Sequence, residues 1–159
     1  MKGVIVNMRI STTTADYYSS KNNLVSPAEA VEKIAGTGFK VLDCNFGGLG
    51  NDSLLGGDKW KKMIDDTGET AARYGMVFSQ AHTPSGPTLD QGIKGQEYLE
   101  LTKRSLKGAA MLGIRWSVIH IADIPGPFTR EHKKNIIESN LAFFQKLYPT
   151  MEKYNIGIL

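Results

Sequence analysis

Short apolar runs of strand character alternate with helix-length segments along this chain, and that alternation limits its fold more than any other feature. Val4 to Met8 reads as a first strand, Phe39 to Cys44 as a second, Met76 to Ala81 as a third and Ile114 to Ile119 as a fourth. A fifth begins at Asn155-Ile156-Gly157-Ile158-Leu159. The runs hold β-branched and aromatic residues and are bounded by turn formers. Strands spaced by helices favour right-handed βαβ units and a parallel sheet. A doubly wound open sheet and a barrel share this rhythm, so rhythm alone does not choose between them.

The helices carry their own punctuation. Ser26-Pro27-Ala28-Glu29 opens the first, with Ser26 as N-cap, Pro27 at the first helical position and Glu29 three residues after the cap. Val31, Ile34 and Ala35 supply its buried side, and Gly36 and Gly38 end it. The second helix starts after Gly56-Gly57-Asp58, with Asp58 the expected cap. Trp60, Met63, Ile64, Thr67, Ala71 and Tyr74 then recur at helical spacing up to Gly75. A third runs from about Gln96 to Leu112 with Leu99, Leu101, Leu106, Ala109 and Ala110, and ends at Gly113. Thr129 caps a long fourth helix, with Ile136, Ile137, Asn140, Leu141, Phe143, Phe144, Leu147 and Met151 on or near its inner side. Ser11 to Asn23, with three threonines and two tyrosines, reads as a long polar loop. Loops of that length are uncommon in compact domains unless they serve function.

Two strands end in histidine: Val77-Phe78-Ser79-Gln80-Ala81-His82 and Trp116-Ser117-Val118-Ile119-His120. Polar groups at the carboxyl ends of successive strands are how a (β/α)₈ barrel builds an active site. A whole barrel takes ~250 residues. At 159 residues, the chain is expected to be one partial α/β barrel domain spanning 1–159, with about five parallel strands and four intervening helices.

Composition narrows the partners. With 41% hydrophobic and 22% charged residues the chain is of ordinary globular type. A net charge of +3, with the basic residues dispersed, argues against nucleic acid. Clusters such as Lys59-Trp60-Lys61-Lys62 read as solvated helix faces. The single cysteine, Cys44, excludes an internal disulfide and suits a reducing compartment. No run approaches the ~18 apolar residues of a membrane span, and the apolar run at the N-terminus is too short for a signal peptide. The expected location is the cytoplasm.

The matched strand-end pair His82 and His120 is the leading candidate site. Imidazole at such positions can bind a divalent metal or exchange protons near neutral pH. The alternative is that each histidine only closes its strand on loop backbone. Asp43, near the end of the second strand, is the best carboxylate: it can hold a substrate hydroxyl or support a histidine. A structural pairing with Lys40 or Arg73 is the slightly favoured reading of it. Cys44 should face the opposite way by strand alternation and serve as a small buried hydrophobe. Asp123 and Asn45 have weaker claims, and His132 reads as surface. Gly47-Gly48-Leu49-Gly50 has neither the phosphate-loop nor the dinucleotide pattern. Nucleophile-elbow and Cys-x-x-Cys motifs are absent.

Gly38-Phe39-Lys40-Val41-Leu42-Asp43 resembles the second-strand signature of the xylose isomerase-like TIM barrels, which include sugar isomerases, epimerases and endonuclease IV. Gln80-Ala81-His82-Thr83-Pro84 is similar to their third strand end. The passage from Ala109-Ala110-Met111-Leu112-Gly113-Ile114 through His120 resembles their run into strand four. Asn140-Leu141-Ala142-Phe143-Phe144, followed by Pro149 to Leu159, resembles their run into strand five. The motifs occur in family order from residue 27 onward. The resemblance implies the N-terminal part of a metal-dependent sugar or sugar-phosphate isomerase or epimerase, which moves a proton next to a carbonyl. It implies a divalent metal (manganese, magnesium, cobalt or zinc) held mainly by carboxylates from strand five onward, beyond Leu159. His82 and His120 match histidines that bind zinc in the endonuclease branch and contact substrate or lie near the metal in the sugar branch. The alternatives are a zinc phosphodiesterase like endonuclease IV, or a non-catalytic truncated barrel serving as an interaction module. A partial barrel leaves edge strands and apolar surface uncovered, so self-association is expected and activity from this chain alone is not.

Overall fold

The computed structural model describes residues 10–17, 25–47, 54–86, 92–121, 125–127 and 129–159. The expected strand at Val4 to Met8, most of the Gly47 to Asp52 loop and Asp123 lie outside them.

Among the described residues five strands, β1 (Ser11–Thr13), β2 (Val41–Asn45), β3 (Val77–His82), β4 (Trp116–Val118) and β5 (Gly157–Ile158), form one sheet. Four helices alternate with them: α1 (Pro27–Ala35), α2 (Trp60–Arg73), α3 (Ile93–Met111) and α4 (Arg130–Tyr154). Every pairing is parallel and the spatial order is β1-β2-β3-β4-β5. A doubly wound sheet reverses its strand order at a switch point. Unbroken sequential order with parallel polarity is the barrel arrangement, and it answers the question that the sequence rhythm left open.

The stretch read as a loop from Ser11 corrects to β1 followed by a 3-10 turn at Thr14–Tyr17. Thr12 and Thr13 are β-branched and suit the extended ladder beside Leu42 and Asp43. The buried Thr14 hydroxyl then accepts the Asn45 N–H at 2.9 Å, which ties the end of β1 to the end of β2.

Capping residues set the helix starts. Ser26 and Glu29 form the expected reciprocal box on α1, with the Glu29 N–H on Ser26 Oγ at 3.2 Å and the Ser26 N–H on the Glu29 carboxylate at 2.7 Å. The backbone and hydroxyl donors of Ser26 hold the Glu29 carboxyl below its ordinary range. Thr129 caps α4 through the His132 N–H at 3.1 Å. Asp58 is not the cap of α2: the chain enters through turns, Lys59 takes that position, and no side chain closes it. Gly38, Gly75 and Gly113 carry the positive φ that returns each of the first three helices toward the sheet.

All four helices lie on one side of the sheet. The larger core cluster joins Phe46, Leu55, Ile64, Leu106, Ile114 and Leu147, and a smaller one joins Val31, Ile34, Leu42, Ala71 and Met76. Lys107 on α3 lies over the rings of Trp60 (5.3 Å) and Tyr154 (5.5 Å), linking α2 and α4. Val77 and Trp116, which alternate with helix-facing residues, are 54% and 52% exposed on the other face. The expected inner side of α4 is narrower than its sequence suggests. Asn140, Phe143 and Leu147 are buried, whereas Ile137 and Leu141 are mostly exposed. The first three pack toward α3; the other two lie on a flank that no described helix covers.

Candidate functional site

Asp43, Gln80, His82 and His120 converge where β2, β3 and β4 end. Strict alternation along β3 would put Val77 and Ser79 on one face, with Phe78, Gln80 and His82 on the other. The ladder slips between Leu42 and Asp43, so Leu42 lies opposite Phe78 while Asp43 lies opposite Gln80. Ser79 is the extra residue of this bulge, and its hydroxyl donates to the Leu42 carbonyl at 3.3 Å. Beyond the bulge Ala81 turns into the core, and Gln80 and His82 share the face of Asp43.

The Asp43 carboxylate is the hub. Gln80 Nε2 donates to its Oδ2 at 2.8 Å. His82 Nδ1 lies 3.0 Å from Oδ1 and 2.8 Å from Oδ2. The side chains of Asp43 and His82 keep only 10% and 22% of their accessible surface. The favoured sequence reading of Asp43 is therefore corrected. Lys40 instead donates to the Tyr74 carbonyl at 2.9 Å, and Arg73 lies 3.6 Å from Glu32. Both basic side chains lie toward the opposite end of the sheet, around α1 and α2, out of reach of the carboxylate.

His120, two residues past the end of β4, stacks on His82 with ring centroids 5.6 Å apart and planes 29° apart. It is exposed, so the pair offers one half-buried and one open imidazole. Cys44 faces the opposite side, as alternation requires, and burial with the neighbouring Asp43 charge pushes its thiol far up. It is a core residue. Asn45 is occupied locally, its side-chain oxygen accepting the Gly47 N–H at 2.6 Å. His132 sits in the first turn of α4, beside Gly126 of the loop that follows β4, and is not part of the stacked pair.

Gln80 is the site residue that sequence reasoning passed over. Its signals were its place two residues before a strand-end histidine and its position at the start of the Gln80-Ala81-His82-Thr83-Pro84 run, neither of which points to a partner. A cavity of about 630 Å³ lined by Gly38, Phe39, Lys40, Val41 and Val77 lies at the opposite, amino-terminal ends of β2 and β3 and contains none of these groups. Among the described residues no three histidine, cysteine, aspartate or glutamate side chains converge as a metal requires. With Asp43 already engaged by two donors, the residues present do not by themselves make a metal site.

No family model and no curated protein matches the sequence. Solved structures do match. A D-tagatose 3-epimerase-like protein superimposes with a TM-score of 0.67 at 18% identity, over 95% of this chain and 51% of its own. The D-psicose 3-epimerase with D-tagatose from Clostridium cellulolyticum gives 0.64 at 13% identity, over 95% and 51%. An AP endonuclease, family 2, from Brucella melitensis gives 0.60 at 16% identity, over 94% and 53%. At these identities the likeness establishes the fold, a partial (β/α) barrel. The chain spans about half the length of the structures it matches.

Proposed function

We propose that this chain is the N-terminal part of a metal-dependent sugar or sugar-phosphate isomerase or epimerase-like barrel. The observation that carries the reading is the Asp43–His82–His120 cluster at the carboxyl end of a barrel-ordered sheet, where such folds place their chemistry. Its likeness to sugar 3-epimerase structures supports the substrate class. His82 and His120 meet the hydroxyls of a small sugar, and Asp43 orients His82. The described residues do not hold a metal by themselves, and our reading is that this chain alone is inactive. We place the protein in the cytoplasm, with no nucleic-acid or membrane partner; no described helix is long and apolar enough to cross a membrane.

The two stacked histidines and the likeness to an AP endonuclease structure favour one second reading, zinc-dependent phosphodiester cleavage. Titration calorimetry with free ketohexoses, their phosphates and an abasic-site duplex separates the two. The proposal expects weak binding of a sugar or sugar phosphate, none of DNA, and no epimerised product with added manganese. Binding of the duplex alone would overturn it.

The uncovered apolar surfaces also lead us to expect self-association. Trp116 and Val77 on the sheet, and Ile137, Leu141 and Tyr148 along α4, are large apolar side chains more than half exposed. Sedimentation should show a concentration-dependent dimer or larger species. A compact monomer at all concentrations would contradict this.

A further inference from the structure

From the bulged end of β3 we infer that Gln80 is a positioning residue that fixes, through Asp43, which nitrogen of His82 carries the proton. A carboxylate only accepts hydrogen bonds. The His82 ring nitrogen facing Asp43 must therefore be an Nδ1–H donor, and in the neutral ring Nε2, directed away from the carboxylate, is an acceptor.

Asp43 alone would leave this choice looser, because a carboxylate free to rotate about Cβ–Cγ need not keep an oxygen in line with the ring N–H. Gln80 removes that freedom. Its amide N–H holds Oδ2 at 2.8 Å, which keeps both oxygens within 3.0 Å of Nδ1. Gln80 reaches the carboxylate because the Ser79 bulge places it directly opposite Asp43. The bulge is pinned in turn by the Ser79 hydroxyl on the Leu42 carbonyl. Three positions of one strand thus act on one ring: Ser79 sets the register, Gln80 holds the carboxylate, and His82 receives the result.

The consequence for recognition rests on the function proposed above. A neutral imidazole presenting a lone pair, backed by a negative carboxylate, accepts a hydrogen bond from a ligand hydroxyl and gives no net positive charge to attract a phosphate oxygen. In that neutral form His82 takes a hydroxyl donor as its ligand.

The tautomer is testable without substrate, so this inference and the proposed function can fail separately. Long-range nitrogen–proton correlation NMR on the ¹⁵N-histidine-labelled chain, at a pH where His82 is neutral, should show His82 as the Nδ1–H form, against the Nε2–H form that histidine prefers in free solution. Gln80→Met keeps the volume and removes the donor, and should shift His82 toward a mixture of tautomers while the circular dichroism spectrum stays unchanged. A wild-type His82 in the Nε2–H form overturns the inference whether or not the variant folds. A Gln80→Met chain that folds and keeps the Nδ1–H form overturns the role of Gln80.

Discussion

Replacing Phe46 by alanine is expected to destabilise the chain by about 3–5 kcal/mol, the range for deleting a fully buried aromatic side chain. Phe46 follows β2 directly and has no accessible surface. Its backbone N–H donates to the His82 carbonyl at 2.9 Å, and its ring packs beneath α3 where Gly108 lies. A Cβ on Gly108 would come within 2.8 Å of Ile64 and 3.6 Å of the Phe46 ring. The sheet, α2 and α3 therefore meet at this ring, and neither helix can settle inward to fill the space it leaves without repacking Ile64. Domains of this size are stable by only about 5–15 kcal/mol. Losing one ring thus removes a large share of the total. Urea unfolding followed by circular dichroism measures it, and a loss below about 1 kcal/mol would mean that Phe46 does not hold these layers together.

Asp43→Ala should have the largest effect on the site. It removes the common acceptor of Gln80 and His82 and leaves two donors facing a hole in a half-buried pocket. A hydrogen bond to a charged group contributes about 1.5–3 kcal/mol, which corresponds to roughly tenfold to a hundredfold in an equilibrium that depends on it. Sugar affinity measured by calorimetry should fall by about that factor. Global stability should fall by less, because solvent reaches the vacated donors. Asp43→Asn retains an acceptor oxygen and should recover part of the affinity. If Asp43→Ala unfolds the chain as deeply as Phe46→Ala, Asp43 is a fold residue. Equal affinity in Asp43→Ala and wild type would remove it from the site.

Much of this architecture is legible in the residues, for identifiable reasons. Ser26, Pro27 and Glu29 form a local motif whose hydrogen bonds span three residues, so no distant contact is needed to read it. Thr129 is legible for the same reason. The strand-end histidines stand out because apolar runs stop at them. What fails depends on pairing between distant segments. The Ser79 bulge exists only in the register of β3 against β2, and without it strict alternation groups Phe78 with Gln80 and hides the latter's role. Asp43 has basic residues within reach in sequence, yet its partners come from β3. Ser11 to Thr13 carries the polar composition of a loop, and only its ladder with β2 makes it a strand. Along α4, Ile137 and Leu141 share the helical period with the buried stripe. Which stripe is covered depends on where α3 lies.

The central claim is that His82 and His120, with Asp43 behind, form one sugar-facing site. NMR of the histidine-labelled chain, titrated with a free ketohexose, tests it most directly. Rings stacked at 5.6 Å should give a nuclear Overhauser cross-peak between His82 and His120 before any sugar is added. On titration both ring signals should move together along one binding curve, and by more than the signal of His132 at the start of α4. An absent cross-peak, or a His132 that shifts as much as the pair, would contradict the account.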